Sequence, residues 1–388
     1  MNREPMPVFL FITAALQLTD NQVLALVAPR LNAAFWPGSG IDASWLLTAY
    51  PIGAAIGPLS LTRFAPSFHG RRAVVAALAV LAATQLVFAL QPTIELAFAL
   101  RALAGAASGV LSYSLLIEAV NCGDRAVTAM TSGFLLAYVL AIPSAAKVAA
   151  GLGLPALFQG LGGLSLLLCA AACFVVPSTR RHLTATRPKP FRHFLRNPTY
   201  RAGLLTSVLV GAALAGPVAI FPKMLQTQAG LGLSDVAVIY YIGGIGPVLA
   251  LPFVPRIIRS LGRKRTSVAG ALLLVGPLLA MPLGAHGIFA AAVLLMLALS
   301  FETLRRSALQ GHIGTLAPRE DRPRYLSLRN MAVQVSVSGG VSLAIVLDDA
   351  GGFVVACAVA AALAAASALF IPAQRRADHP GDTSCPGN

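Results

Sequence analysis

Apolar segments of about 20 residues follow one another along nearly the whole chain of 388 residues. A helix needs about 20 mostly apolar residues to cross the hydrocarbon core of a bilayer. Twelve segments meet this requirement, and we therefore predict an all-α polytopic membrane protein with twelve transmembrane helices. The segments lie near residues 7–33, 42–66, 72–91, 94–120, 126–149, 153–177, 202–225, 233–254, 266–284, 287–310, 326–347 and 351–373.

The composition argues against a water-soluble enzyme. Hydrophobic residues make up 57% of the chain and charged residues 11%, whereas an ordinary soluble domain carries about 25% charged residues. The six histidines are scattered and show no metal-ligand spacing, and the chain contains no Gly-x-Ser-x-Gly motif or P-loop. We expect no catalytic centre, no metal and no cofactor, and a polytopic membrane enzyme is the distant alternative.

The basic residues predict how the helices are oriented. With the N-terminus inside, 21 of the 29 Lys and Arg residues fall in inner segments, and two, Arg30 and Lys223, fall at the outer ends. Cytoplasmic loops carry such an excess of positive charge. The net charge of +15 is thus a topology signal and does not indicate a nucleic-acid partner. We expect a multi-pass protein of the inner (plasma) membrane of a bacterium, with both termini in the cytoplasm.

The chain divides into two related halves, with six apolar segments on each side of a basic, proline-bearing stretch at residues 178–201. Residues 55–59 (AIGPL) match 244–248 (GIGPV), and residues 70–72 (GRR) match 262–264 (GRK). Parallel repeats of six helices are typical of transporters whose halves move around a site at the membrane midplane. We predict an N-terminal six-helix bundle at 1–177, a basic cytoplasmic linker at 178–201, a C-terminal six-helix bundle at 202–374 and a cytoplasmic tail at 375–388.

Two further motifs resemble the major facilitator superfamily. Residues 101–109 (RALAGAASG) are similar to that family's Arg-x-x-x-Gly signature in helix 4, and residues 18–29 (LTDNQVLALVAP) resemble the acidic helix-1 motif of its proton-coupled drug and metabolite exporters. The opening of helix 2, residues 44–50 (SWLLTAY), is also typical of those exporters. The resemblance implies a monomeric secondary transporter that moves a small organic molecule by alternating access, with proton-coupled efflux as the first interpretation.

The duplicated loops and their neighbours imply, through the same resemblance, a set of gating or conformational residues. The family's loop signature carries an aspartate that is missing from residues 57–72, and residues 141–151 lack the Gly-Pro-x-x-Gly-Gly run of the antiporters. A proton symporter or uniporter for an organic anion is therefore the alternative, and it would draw on Arg101, Arg305 and Lys147. The gating candidates are Gly57, Pro58, Gly70, Arg71, Arg72, Gly246, Pro247, Gly262 and Arg263.

Asp20 is the sharpest candidate for the proton site, since it falls near the bilayer midplane in helix 1. An ionisable residue at that depth is costly unless it is paired or faces water, and burial favours the neutral acid. The resemblance places helix 4 beside helix 1, which makes Arg101 on helix 4 the expected partner. Both a proton-coupling role and a purely structural ion pair fit the sequence.

The remaining ionisable and polar residues of the spans are candidates for the substrate cavity. Glu302 and Arg306 are four residues apart and predict an ion pair within one helix, which leaves Arg305 to point elsewhere, towards the cavity. Lys147 is expected to reach the outer interface or to meet an anionic substrate group. The predicted cavity residues are Thr19, Asn21, Gln22, Tyr50, Arg101, Tyr138, Tyr240, Tyr241, Arg305 and Gln334.

Overall fold

The computed structural model describes residues 5–38, 41–64, 70–122, 124–177, 191–314, 316–317 and 321–372. Throughout these ranges the regular secondary structure is helical. The helices before the linker are α1 (Pro5–Phe35), α2 (Leu46–Phe64), α3 (Arg71–Phe88), α4 (Ile94–Cys122), α5 (Asp124–Leu136), α6 (Ile142–Gly151) and α7 (Leu154–Val175). The later helices are α8 (Phe191–Arg196), α9 (Pro198–Thr227), α10 (Leu233–Ala250), α11 (Val254–Leu261), α12 (Arg263–Ala280), α13 (Ile288–Gly314) and α14 (Arg322–Leu369).

Helix occupies every one of the twelve predicted segments, so the predicted all-α fold is confirmed. Ten helices within the described residues are long and apolar enough to cross a membrane. The last of these, α14, bends at Gly352, where φ is 78° and ψ is 171°, and so contains the final two predicted segments. Helix α2 fills the second predicted segment. The fifth segment combines α5 and α6, joined by a π-helical turn at Ala137–Ala141.

Glycines set the spacing of α2 and α4. A Cβ atom added to Gly53 would lie 1.9 Å from the carbonyl oxygen of Ala102, and one added to Gly57 would lie 2.1 Å from that of Ala106. Gly105 and Gly109 of α4 bear on the α2 backbone in the same way. Small residues allow this approach of two helix backbones within a membrane. Close packing is therefore what the structure shows for Gly57, which the sequence placed among the gating candidates.

Contacts between helices are densest on either side of the linker. Before it, α2 packs on α4, α3 on α7 and α1 on α5; after it, α9 packs on α14, and α13 packs on α10 and α12. The two sets of helices meet where α2 contacts α14, α6 contacts α10 and α1 contacts α9. Residues 178–190 of the predicted linker and the predicted tail at 375–388 lie outside the described residues.

Candidate functional site

Asp20 and Arg101 form a buried ion pair between α1 and α4. Asp20 lies at the middle of α1, with 15 residues on either side. Arg101 Nη1 is 3.1 Å from Asp20 Oδ1, and Arg101 Nη2 donates to the Asp20 backbone carbonyl, also at 3.1 Å. The exposed fractions of the two side chains are 5% and 3%. The pair thus lies in the interior of the helices that precede the linker, away from solvent.

Two neighbouring side chains complete the surroundings of this pair. Gln85 of α3 is buried and donates a hydrogen bond from its side-chain amide to Asp20 Oδ1. The Tyr50 ring of α2 lies against the guanidinium of Arg101, with 4.6 Å from Cζ to the ring centroid. A cation over an aromatic face is stabilised by the ring quadrupole, the more so when water is excluded. Four helices therefore converge on one carboxylate.

Gln17 extends the polar cluster along α1. Its amide nitrogen donates to the Ser108 carbonyl at 2.9 Å and to the Ser112 hydroxyl at 3.1 Å. Three buried oxygens of the cluster have no hydrogen-bond partner among the described residues: Gln17 Oε1, Asp20 Oδ2 and Tyr50 Oη. Buried polar groups are usually paired, so these oxygens indicate a place where a proton or another hydrogen-bond donor can be received.

The remaining predicted cavity residues are dispersed. Thr19 bonds the Ala15 carbonyl of its own helix at 2.7 Å, and the Tyr240 hydroxyl donates to the Val218 carbonyl at 3.2 Å. Asn21, Gln22 and Gln334 are half-buried. The Tyr138 side chain lies outside the described residues, although its backbone belongs to the π-helical turn.

Tyr241 joins the two helix sets. Its hydroxyl is 2.9 Å from the Ser144 hydroxyl, and its ring centroid is 5.0 Å from Lys147 Nζ. Ser144 and Lys147 both belong to α6, whereas Tyr241 belongs to α10. The cation that the sequence placed at the outer end of helix 5 therefore sits at the boundary between the sets, over an aromatic ring.

The prediction that Arg305 points away from Glu302 is wrong. Arg305 is completely buried, and its Nε donates to Glu302 Oε2 at 2.8 Å while its Nη2 donates to the Val210 carbonyl of α9 at 3.3 Å. The predicted Glu302–Arg306 contact is present as well, at 3.2 Å. Side chains three apart on a helix are neighbours just as those four apart are, and the long arginine side chain folds back to the only acid within reach among the described residues of α13.

The predicted gating residues fall into two groups. Gly70 and Gly262 have φ values of 63° and 79° at the starts of α3 and α12, a left-handed conformation that glycine adopts without strain. Arg71 Nε donates to the Val176 carbonyl at 2.8 Å and so ties α3 to the end of α7. Arg72 and Arg263 are exposed, as surface residues next to these turns.

The second group consists of the helix-internal glycine–proline pairs. A Cβ atom on Gly246 would lie 2.4 Å from the Ser300 hydroxyl, so that α10 and α13 approach closely there. Pro247 is buried beside it, and Pro58 is half-buried next to Gly57. These positions are packing contacts in the structure, and their gating role stays a prediction.

An ionic cluster that the sequence did not predict lies at the predicted outer end. Lys223 Nζ of α9 is 2.9 Å from Asp42 Oδ2, 3.3 Å from Asp348 Oδ2 and 3.8 Å from Asp349 Oδ1. Asp42 belongs to the connection between α1 and α2, so its contact with Lys223 crosses between the helix sets. Burial acts to raise the pKa of the Asp42 carboxyl, but hydrogen bonds from Ser44 and the ammonium of Lys223 hold that pKa below its usual value.

Other polar contacts cross between the sets near the same end. The Gln226 amide of α9 donates to the Leu26 carbonyl of α1 at 3.0 Å, and the Ser338 hydroxyl of α14 donates to the Thr48 carbonyl of α2 at 2.7 Å. Together with the Asp42–Lys223 pair, these bonds hold the two helix sets against each other on the predicted outer side. The two helix sets are therefore in direct contact on this side.

A comparison with protein families finds a match that covers nearly the entire chain in two overlapping ranges. The family model described as Major Facilitator Superfamily matches residues 10–304 and, in a second overlapping match, residues 245–384. The first match contains the Asp20–Arg101 pair, and the second contains Glu302, Arg305 and the whole of α14. The matched ranges thus include both buried acid–arginine pairs.

Proposed function

The chain belongs to the major facilitator superfamily and is a multi-pass membrane transporter, and we propose that it couples the export of a small organic molecule to the inward movement of protons. The observation that carries this proposal is the buried Asp20–Arg101 pair, which joins α1 to α4 at the middle of α1. An acid in this position changes the contact between two helices when it gains or loses a proton.

Protonation would act on the pair in a defined way. A neutral Asp20 attracts Arg101 less strongly than a carboxylate does, while Arg101 keeps the Asp20 backbone carbonyl and the Tyr50 ring as partners. The guanidinium therefore keeps two partners when the Asp20 carboxylate is protonated. The energetic consequence of protonation is thus a change in how firmly α1 is held against α4.

Helix α1 can carry that change to the other half. Leu26 of α1 accepts the hydrogen bond from Gln226 of α9, and Asn32 of α1 contacts Asp42, the partner of Lys223. A shift of α1 relative to α4 would therefore disturb the contacts that close the outer side. In this proposal the two six-helix bundles rock around a central site, and a shift of α1 is what links the proton site to the contacts on the predicted outer side.

Lys147 supports the alternative of an organic-anion symporter or uniporter. Arg101 and Arg305 are both buried and paired with acids, which leaves Lys147 as the predicted anion partner whose ammonium is exposed at the boundary between the helix sets. In either case we propose a monomer in the inner membrane of a bacterium, with the bilayer, protons and a small molecule as partners.

The test is the substitution Asp20→Asn. A thermal-shift screen of the purified protein against metabolites and drugs first provides a ligand, since a molecule that binds the folded state raises its stability. Flux of that ligand is then measured in proteoliposomes with an imposed pH gradient. We expect Asp20→Asn to abolish gradient-driven flux while stabilisation by the ligand persists. The substitution removes the carboxyl group that can bind and release a proton, and the amide keeps nearly the same shape.

The matched control is Glu302→Gln, which neutralises the buried acid of the second half. The pH dependence of flux in this variant should resemble that of the natural chain, whatever its stability. Gradient-driven flux that is unchanged in Asp20→Asn contradicts the proposal. If transport of an anionic ligand requires Lys147 and does not depend on Asp20, the result favours the organic-anion symporter or uniporter.

A further inference from the structure

Gln85 stands out because nothing in the apolar segment around it calls for an amide. It lies near the end of α3, is 3% exposed, and donates its side-chain N–H to Asp20 Oδ1. Burying an amide in apolar surroundings costs several kcal/mol unless it is hydrogen-bonded. The bond to Asp20 removes that cost, but a hydrophobic residue at this position would have avoided it altogether.

The hydrogen bond makes the two carboxylate oxygens of Asp20 unequal. Oδ1 accepts from Gln85 and from Arg101 Nη1, whereas Oδ2 is buried and has no partner among the described residues. Two donors fix the negative charge at Oδ1 and leave Oδ2 as the oxygen with room for a hydrogen atom. We propose that Gln85 is a positioning residue that sets the proton affinity of Asp20 and directs the proton to Oδ2.

This inference rests on the proposed proton coupling at Asp20. The step itself is a single proton transfer: a hydronium ion gives its proton to Oδ2, one O–H bond of hydronium breaks as the O–H bond of the carboxyl group forms, a water molecule is left, and the charge of the site rises by one. Arg101 stays protonated throughout, since the guanidinium does not titrate in proteins. Gln85 does not titrate either, so that its removal changes the environment of the acid without adding another titrating group.

The charged and titratable groups around Asp20 are few. Arg101 faces it from α4, and Tyr50 from α2 interacts electrostatically with Asp20 and lies against Arg101, while Gln17 on the same helix is uncharged. From α5, α6, α7, α9 and α10, which also pack on α1, the described residues bring no charged side chain into hydrogen-bond or ion-pair contact with Asp20. A change in its proton affinity on substitution of Gln85 can therefore be assigned to the lost hydrogen bond.

The experiment follows the protonated carboxyl group directly by infrared difference spectroscopy of the reconstituted, full-length protein over a pH series. The carbonyl band of Asp20 is identified by its loss in Asp20→Asn. In Gln85→Met, which removes the donor and keeps the length of the side chain, we expect this band to appear at a pH about one to two units higher. A hydrogen bond to a charged group contributes about 1.5–3 kcal/mol, and one pH unit corresponds to 1.36 kcal/mol.

Thr84→Val is the matched control. Thr84 is the neighbour of Gln85, is equally buried, and bonds the Leu81 carbonyl of its own helix at 2.8 Å. Its substitution removes a buried polar group from the same turn without touching Asp20, so that the band should titrate as in the natural chain. Should Gln85→Met fail to fold, Gln85→Asn withdraws the donor by one methylene, and a shift in the same direction is expected.

The outcomes separate this inference from the function on which it rests. An Asp20 band that titrates at the same pH in the natural chain and in both Gln85 variants overturns the positioning role and leaves proton coupling intact. A shift of the same size in Thr84→Val also overturns it, because the effect would then reflect general loosening of α3. If the natural chain shows no titrating Asp20 band, both the inference and the proposed coupling are wrong.

Discussion

Each half of the molecule buries a carboxylate against an arginine, and the two pairs are built differently. Asp20 and Arg101 are 81 residues apart in sequence and connect α1 to α4. Glu302 and Arg305 are three residues apart within α13, and Glu302 also accepts from Arg306 one residue further on. The first pair is a contact between two helices, whereas the second lies almost wholly within one.

This difference decides what each pair can do. When a helix moves as a rigid body, an ion pair within it keeps its geometry, but an ion pair between two helices changes length or direction. Protonation of Asp20 can therefore be linked to helix movement, and protonation of Glu302 has little movement to which it could be linked. The bond from Arg305 to the Val210 carbonyl ties α13 to α9 through an uncharged acceptor, which does not depend on pH.

The largest effect on stability is expected when the buried Glu302–Arg305 pair is broken. We expect Glu302→Gln to lower the free energy of unfolding by about 3–5 kcal/mol, because it leaves the completely buried Arg305 without its counter-ion. Thermal unfolding in detergent, followed by tryptophan fluorescence, measures the loss. Arg306→Gln is the control, since the Arg306 side chain is 63% exposed, and exposed ion pairs contribute about 1 kcal/mol or less. Equal losses in the two variants would contradict the structural role given to the Glu302–Arg305 pair.

A second comparison concerns how the halves pack their glycines. A Cβ atom on Gly53 would meet the Ala102 carbonyl oxygen at 1.9 Å, whereas one on Gly243 would meet the end of the Leu295 side chain at 2.8 Å. The backbone carbonyl of a helix cannot move away from an added methyl group, whereas a leucine side chain can change its rotamer. We expect Gly53→Ala to cost about 1–3 kcal/mol, the range for overpacking, and Gly243→Ala to cost less.

Thermal unfolding of the two variants tests this order. Gly339→Ala is the control, because among the described residues no atom beyond the adjoining backbone of its own helix lies within 4 Å of the position that its Cβ would take. Its unfolding temperature should equal or exceed that of the natural chain, since alanine is the better helix former. A larger loss in Gly243→Ala than in Gly53→Ala would show that the α2–α4 contact is looser than the structure indicates.

The smallest effect is expected at the outer cluster, where Asp42 and Lys223 are about one-quarter exposed. Asp42→Asn should cost about 1 kcal/mol or less at neutral pH. Because the folded-state pKa of Asp42 lies below its usual value of 3.8, its contribution is present above that value and is lost as the pH falls through the folded-state pKa. The difference in unfolding temperature between the natural chain and Asp42→Asn should therefore hold from pH 7 to about 4 and shrink below.

Particular residues show how much of the candidate site could be predicted from the sequence. Asp20 was identifiable because a carboxylate in the middle of an apolar helix is costly and needs a reason. Arg101 was identifiable because helix 4 lies beside helix 1 in the fold that the sequence resembles. Gln85 could not be identified in this way, since a single amide in an apolar segment can serve as a packing contact between helices just as well as part of a proton site. The partner of Lys223 was equally hidden, because a loop residue such as Asp42 has no periodicity that fixes its direction.

The sequence by itself determined the all-α fold of long apolar helices and singled out an acid at the middle of the first of them, because the bilayer imposes a length on every helix and a high cost on every charge within it. The tertiary structure decided which charges meet. It turned Arg305 back to Glu302, brought Gln85 to Asp20 and placed Lys223 between three aspartates, because such contacts depend on how helices distant in sequence lie side by side and on where long side chains reach.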